Sequence, residues 1–212
     1  MYIDLSHTIE QNMPFYPGTG APRIIQKNTV ETDGFAEVEI SFYSHTGTHM
    51  DAPAHMVKGG MTLDEYPIEH FFGRAFLLDL RDGIPALDAL IQMKSRLEAI
   101  DFVILHTGWS DHWRDEQYFE DFPVLPLEHV DWFLSLGIRG FGIDAISIDP
   151  VNTTTFENHH AVFNKGGTIT ENLTNLNNIT SPFFDIIMLP LKNKNSDGIS
   201  IRAVAVVDEC LI

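Results

Sequence analysis

The sequence LDALIQMKSRLEAI at residues 87–100 runs directly into DFVILHT at residues 101–107, and this pair of segments decides the fold class. The first segment predicts a helix, and the second, a short apolar run, predicts a buried strand. The same order returns at residues 127–136, a predicted helix that precedes the strand RGFGID at residues 139–144. Two helices that each lead into a buried strand predict β-α-β units and therefore some parallel sheet.

The front section of the chain has the pattern of antiparallel strands instead. Strands are predicted at residues 24–29 and 36–44, because AEVEISFYS alternates polar and apolar residues and follows an Asp33-Gly34 turn. Residues 12–21 are rich in Pro and Gly and should form a loop. No linker or repeat divides the chain, so we expect one domain over residues 1–212, an α/β fold with a mixed sheet and flanking helices.

The composition limits the classes of partner. The chain has 13 Lys and Arg against 30 Asp and Glu, a formal net charge of −17 at pH 7. A phosphate backbone or an anionic membrane surface needs a basic footprint, so we expect neither nucleic acid nor a membrane as a partner. The single cysteine, Cys210, cannot form an intrachain disulfide, and MYIDLSHTIEQ does not resemble a secretion signal. We therefore expect a cytoplasmic location.

The residues that could carry chemistry are concentrated in SHTGTHMDAPAH, residues 44–55. Three histidines and one aspartate of this segment share parity, so an extended chain would direct them to one side; they are His45, His49, Asp51 and His55. Strand spacing of about 3.3 Å per residue would leave them too far apart for one metal, so we expect a bend around Gly47-Thr48. Two imidazoles and a carboxylate would then converge on a cation such as Zn²⁺, Mn²⁺ or Fe²⁺.

Residues 45–55 resemble the signature H-x-G-T-H-x-D-x-P-x-H of the cyclase family, metal-dependent hydrolases that include bacterial kynurenine formamidase and isatin hydrolase. Every specified position of the signature is filled. The likeness continues through MPFYPG, HTGWSDHW, GIDAISIDP and ITENLTNL, at residues 13–18, 106–113, 142–150 and 169–176. The resemblance implies a β/β/α fold built around a swivelling-domain-like sheet, and assembly as a homodimer or a homotetramer.

The resemblance also implies a set of metal ligands. They are His45, His49 and Asp51 at a first divalent metal, and His159 and Glu171 at a second position. Asp51 or Glu171 would bridge the two positions. The family places its histidine twelve residues before the Glu of E-N-L, which selects His159, with His160 as the alternative. We expect Zn²⁺, with Mn²⁺ as the alternative, at one or two ions per chain.

His55 is the remaining member of the cluster, and the resemblance gives it the task of carrying protons. A histidine has a reference pKa near 6.5, so it can gain and lose a proton at the pH where hydrolysis takes place. The alternative is that His55 is a further ligand. In the mechanism we expect, a metal-activated water attacks an amide or lactam carbonyl, and His55 passes the proton of that water to the leaving nitrogen.

The surroundings of the metal decide the substrate. Phe15, Tyr16 and Trp109 lie on or beside predicted loops and are candidates to wall a pocket for a flat ring. Kynurenine formamidases carry a tryptophan where this chain has Tyr16, which argues against N-formylkynurenine as the substrate. Asp144 and Asp149 follow a predicted strand and would either orient a ligand histidine or cap the following turn.

The leading hypothesis is a metal-dependent hydrolase that acts on a carbon–nitrogen bond of a small amide, aryl formamide or lactam. A noncatalytic metal-binding or sensing protein is the first alternative, because a structural site fills all coordination positions whereas a catalytic site keeps one open. A metal-dependent lyase or dehydratase on the same ligands is the second.

Overall fold

The computed structural model describes residues 1–207, and Cys210 lies outside them. Within this range the chain forms ten strands and five α-helices, joined by loops and short 3-10 turns. The strands are β1 (Tyr2–Asp4), β2 (Arg23–Asn28), β3 (Glu37–Ser41), β4 (His49–Asp51), β5 (Phe72–Asp79), β6 (Phe102–His106), β7 (Gly140–Ile143), β8 (Thr168–Glu171), β9 (Phe183–Pro190) and β10 (Gly198–Val206). The helices are α1 (Val30–Asp33), α2 (Leu87–Gln92), α3 (Lys94–Leu97), α4 (Leu127–Ser135) and α5 (Glu157–Asn164).

Eight of the strands described in residues 1–207 form one sheet, in the order β1-β10-β4-β8-β7-β6-β5-β9. The long strand β10 pairs with β4 at its start and with β9 along the rest of its length. The seven strands from β10 to β9 in this order therefore form a closed barrel. β1 lies outside the barrel and pairs with the C-terminal end of β10. Closure leaves these strands few unpaired edges.

Strands β5, β6, β7 and β8 are parallel neighbours, and the other pairs in the sheet are antiparallel. Helices α2 and α3 connect β5 to β6, α4 connects β6 to β7, and α5 connects β7 to β8. These are the β-α-β units that the sequence predicts, and the mixed α/β class is confirmed.

Alternate residues of the strands enter two separate apolar cores. On β6, Phe102 and Ile104 point into the barrel, whereas Val103 and Leu105 pack outward beneath the helices. The interior is narrow at β7, where a Cβ on Gly142 would lie 2.7 Å from Ile104 Cδ1. A larger residue there would have to displace the Ile104 side chain, which the absence of a Cβ at Gly142 avoids.

The predicted helix over residues 87–100 is interrupted. Met93 separates α2 from α3, and its N–H bonds to Leu90 O three residues back, so the helical turn tightens at this point. Leu90 and Leu97 are nevertheless both buried, which agrees with one apolar face over the whole segment. None of the helices in the described part of the chain is both long and apolar enough to cross a membrane.

The predicted front strands form a separate two-stranded sheet. β2 and β3 pair with each other in antiparallel register and do not join the barrel. The strand predicted over residues 36–44 spans only Glu37–Ser41 in the structure, and all five residues of this strand, β3, are exposed. This hairpin of β2, α1 and β3 therefore projects from the molecule.

Candidate metal centre

Three neighbouring strands, β10, β4 and β8, form the floor of the candidate site. The register pairs His49 on β4 with Glu171 on β8, and Asp51 with Gly198 on β10. Directly paired residues on neighbouring strands have their side chains on the same face, and so do residues two apart on one strand. His49, Asp51 and Glu171 therefore emerge side by side, and each is at most 5% exposed.

His45 reaches the same point because the chain bends at Gly47, whose φ of +63° lies in the left-handed region. The bend is thus present where the sequence predicts it. His45 Nδ1 lies 2.6 Å from Asp51 Oδ1. The imidazole packs over Gly198, where a Cβ would lie 2.5 Å from His45 Cε1. Only glycine at position 198 leaves room for this ring.

Helix α5 supplies His159. Its Nε2 lies 3.4 Å from Glu171 Oε1 and 4.0 Å from Asp51 Oδ2. His160 is half-buried and belongs to none of the metal-ligand clusters found among residues 1–207. The structure therefore brings the five predicted ligands together and favours His159 over His160.

Two of the predicted ligand imidazoles are held by a hydrogen bond at the ring nitrogen that faces away from the site. His49 Nδ1 donates to Gly47 O over 2.8 Å, and His159 Nδ1 donates to Asp149 Oδ2 over 2.7 Å. Because Nδ1 faces a protein acceptor in each ring, Nε2 is the nitrogen directed toward the site, where a cation would replace its proton. Asp149 thus orients a ligand histidine, one of the two roles that the sequence left open for it.

Asp144 has neither of those two roles, because the turn that it caps follows a different strand. It accepts hydrogen bonds from the backbone N–H and hydroxyl of Thr107 and from the N–H of Gly108. It therefore caps the turn after β6 and does not contact the ligand histidines.

The donor set fits a divalent cation. His49 Nε2 lies 3.2 Å from Asp51 Oδ1 and 3.6 Å from Glu171 Oε2. Within each of two groups that share Asp51, the ligand atoms lie within 4.8 Å of one another; the groups are His45, His49 and Asp51, and Asp51, His159 and Glu171. His45, His55 and Asp197 form a third group of the same kind at the rim. Imidazole nitrogens and carboxylate oxygens around a common point are the ligands of Zn²⁺ and related ions. Asp51 belongs to both groups, so it is the residue that could bridge two ions.

The electrostatics of the cluster favour added positive charge. Burial alone would lower the pKa of His45, but the carboxylates of Asp51 and Asp197 outweigh it and raise that pKa to about 10. Burial also opposes the charged form of His159, yet hydrogen bonds with Asp149 and Glu171 raise its pKa to about 10. The carboxylates thus attract either protons or a metal cation to the imidazoles.

His55 lies at the rim of the cluster. It ends the 3-10 turn Pro53–His55, and its ring centroid is 3.9 Å from that of His45 and 6.5 Å from that of His159. Burial lowers the pKa of His55 and outweighs the opposing charge of Asp51, and the positive charges on His45 and His159 add to the lowering. The neutral form of His55, which can accept a proton, is therefore favoured.

A cavity of about 280 Å³ opens directly on the cluster. Its walls include Tyr16, Met56, Ile146 and Phe156, and its floor contains the five ligands and His55. Tyr16 is held in place because its hydroxyl donates to Val151 O over 3.3 Å. The cavity gives a small molecule direct access to the ligands.

Two of the three predicted substrate contacts lie elsewhere. Phe15 lines a separate groove together with Arg114 and Phe119. Trp109 packs against Phe122, with ring centroids 6.4 Å apart, and belongs to the core outside the barrel. An aromatic residue on or beside a predicted loop was therefore a weak guide to the pocket, and only Tyr16 of the three lines it.

The sequence analysis missed Phe156 and Asp197. Phe156 has a φ of +46°, an uncommon value for a bulky residue, and lies immediately before α5. Its ring meets that of His159 edge to face, with centroids 6.0 Å apart. Asp197 contacts His45 from the segment before β10. No local pattern distinguishes either residue, because both reach the site through the folding of distant segments.

The chain is similar to known proteins along nearly its whole length. The family model Cyclase matches residues 3–150. A kynurenine formamidase of Bacillus cereus is 28% identical over 204 residues, 96% of each chain. A protein of Methanocaldococcus jannaschii is 32% identical over 207 residues, 97% of this chain and 98% of that one. The structure of isatin hydrolase A from Labrenzia aggregata, bound to benzyl benzoate, superposes with a TM-score of 0.88 at 25% identity, covering 99% of this chain and 94% of the other.

The two adjacent histidines of α5 can be separated by metal titration. Removing an outer partner of a ligand commonly costs about 10–100-fold in metal affinity, so loss of a ligand should cost at least as much. We expect His159→Asn to weaken Zn²⁺ binding at the position formed with Asp51 and Glu171, measured by competition with a chelator. His160→Asn is the matched control and should bind like the parent. The reverse result would assign the ligand to His160.

Proposed function

The chain belongs to the cyclase family, and from this premise we propose that it is a metal-dependent hydrolase that cleaves the carbon–nitrogen bond of a small amide, aryl formamide or lactam. The observation that carries the proposal is the pair of histidine–carboxylate groups that share Asp51 at the floor of an accessible cavity. The similar proteins named kynurenine formamidase and isatin hydrolase support the same bond type.

The metal we propose is Zn²⁺, with Mn²⁺ as the alternative. His45, His49 and Asp51 would hold one ion, and His159 and Glu171 would hold a second beside it. When bound, such a cation supplies Lewis acidity, which lowers the pKa of water and polarises a carbonyl oxygen. Three imidazoles with two carboxylates suit either of these ions, so the ligand set supports one or two ions per chain.

The protein's own residues would position and protonate the substrate. Neutral His55 accepts a proton from the attacking water as the oxygen bonds to the carbonyl carbon. As the carbon–nitrogen bond breaks, His55 returns that proton to the leaving nitrogen. General acid–base catalysis of this kind typically contributes about 10²–10⁴-fold to the rate.

The cavity supports a small, flat substrate. Its volume of about 280 Å³ lies just below the range of roughly 300–1,000 Å³ that is usual for ligand pockets. Tyr16 and Phe156 offer aromatic faces, and Met56 and Ile146 offer apolar surface. Burial, together with the charges of Glu171 and Asp149, raises the pKa of Tyr16, so its hydroxyl stays protonated and keeps donating to Val151 O.

A noncatalytic metal-binding protein is the first rival. A purely structural site fills its coordination positions with protein atoms and has no need of an adjoining cavity. The cavity on the ligand cluster therefore favours the enzyme. A lyase or dehydratase would use the same ligands, and only the product distinguishes it.

We also propose that subunits associate through the projecting hairpin. An isolated two-stranded sheet is at best marginally stable in water. The exposed fractions of four apolar side chains here are Val30 62%, Phe35 53%, Val38 42% and Ile40 56%. Burial of this surface in a homodimer or homotetramer would stabilise the hairpin.

The net charge of −17 and the single cysteine further support a cytoplasmic enzyme without a nucleic-acid partner.

The activity is tested by a substrate screen on metal-loaded protein. We expect turnover of at least one member of a panel of aryl formamides, isatin-like lactams and simple esters, with a product heavier than substrate by one water for a lactam. Chelation should abolish turnover, and added Zn²⁺ or Mn²⁺ should restore it. Bound metal without turnover of any compound would instead favour the noncatalytic rival.

The role of His55 is tested by substitution. His55→Ala should lower kcat by about 10²–10⁴-fold, because the proton carrier is lost. Its metal content should equal that of the parent, because the five ligands remain. Turnover at the parent rate would remove His55 from the mechanism, and loss of metal would make it a ligand.

If subunits associate through the hairpin, a charged side chain on the apolar face of β3 should weaken the association. Ile40→Glu places a charge among the exposed apolar side chains and should shift the chain toward the monomer in light scattering after gel filtration. Ser41→Glu adds the same charge on the opposite face of the strand and is the control. Equal masses for parent and Ile40→Glu, in either state, would contradict the proposal.

A further inference from the structure

Asp197 occupies a fixed position beside the metal cluster. It immediately precedes β10, and its carbonyl accepts a hydrogen bond from Ala52 N over 2.9 Å. The neighbouring Ser196 carbonyl accepts a bond from Leu63 N, also over 2.9 Å. The backbone is thus held at Ala52, directly after β4, and at Leu63, without any help from the Asp197 side chain.

The Asp197 carboxylate faces two imidazoles at once. Its Oδ2 lies 3.1 Å from His45 Nε2 and 3.8 Å from His55 Nδ1. The hydroxyl of Ser44 donates to the same oxygen over 3.5 Å. One carboxylate oxygen is therefore shared by a predicted metal ligand and the predicted proton carrier.

The direction of the His45 ring explains what this contact does. Its Nδ1 faces Asp51, 2.6 Å away, on the side of the inner ligands. If Nδ1 offers its lone pair to a cation, Nε2 must carry the hydrogen and donate it. The Asp197 carboxylate is the acceptor in reach of that hydrogen.

The same arrangement is present at the other two ligand histidines. Gly47 O accepts from His49, and the Asp149 carboxylate accepts from His159. Asp197 is the corresponding acceptor for His45. It differs from the other two acceptors in position, because its side chain is 46% exposed and it also faces His55.

We infer that Asp197 is a positioning residue that anchors the His45 imidazole for metal binding. Its effect on turnover rests on the proposed function, whereas its effect on metal affinity does not. Outer acceptors of ligand histidines commonly change metal affinity by about 10–100-fold. Asp197 should therefore be detectable by metal titration alone.

The test is a Zn²⁺ titration of the metal-free full chain in competition with a chromogenic chelator. Asp197→Ala removes the acceptor and should weaken Zn²⁺ binding by about 10–100-fold. Asp197→Asn keeps an oxygen acceptor of the same size but loses the charge, so its affinity should fall between that of the parent and that of Asp197→Ala.

Asp131 offers a matched control. It lies exposed on α4, outside the site, so Asp131→Ala and Asp131→Asn make the same chemical changes without touching His45. Both should bind Zn²⁺ like the parent. Thermal unfolding of each metal-free variant reports whether it is folded, and should Asp197→Ala fail to fold, the isosteric Asp197→Asn decides the question.

Three results separate the inference from the proposed function. Parent affinity in folded Asp197 variants would overturn the inference. Loss of one whole binding step with the remaining affinity unchanged would also overturn it, because Asp197 would then itself be a ligand. Weakened binding in both variants, in a parent that hydrolyses no substrate, would uphold the positioning role while the proposed function fails.

Discussion

The burial of the Asp51 carboxylate is the constraint on which the site depends. Asp51 is 1% exposed, and an unpaired charge at that depth would cost several kcal/mol. Its oxygens face three imidazoles, each of which has its other nitrogen within hydrogen-bond distance of an oxygen acceptor in the protein. The charge is balanced only when positive charge is shared within this group, as protons or as a cation. A cluster with these requirements suits a divalent cation by its electrostatics as well as by its residue types.

The closed barrel provides this burial. β4 is only three residues long, and it pairs with β10 on one side and with β8 on the other. Pairing on both sides holds this short strand, which carries two of the predicted ligands. The glycines at positions 47 and 198 then admit His45 to the same face. The fold and the site therefore depend on the same strand pairings.

The sequence predicts those parts of the structure that are local. The helix-to-strand order gave the parallel half of the barrel, and the parity of residues 45–55, with a bend at Gly47, gave a cluster with the geometry observed. His159 and Glu171 could be predicted only through the family resemblance, because the pairing of β4 with β8 and the packing of α5 bring them to Asp51. Asp197 and Phe156 could not be predicted, since their neighbours at the site come from distant segments. Phe15 and Trp109 show the converse error, in which aromatic character and a position on or beside a predicted loop were taken as signs of a place in the pocket.

The exposure of the side chains increases from the floor of the site to its rim, and this difference has a chemical consequence. His49, Asp51, His159 and Glu171 are buried and held by strand pairing or by oxygen acceptors, which keeps ligand atoms at fixed separations. The side chains of His45, His55 and Asp197 are 20%, 29% and 46% exposed and lie along the opening. A cation needs fixed ligands, whereas a proton carrier must exchange protons with substrate and solvent in every cycle. His45 lies between the floor and the rim, because its Nδ1 faces Asp51 and its Nε2 faces Asp197. It is therefore the side chain through which a change at the opening, such as a change in the charge of Asp197, can affect a bound metal.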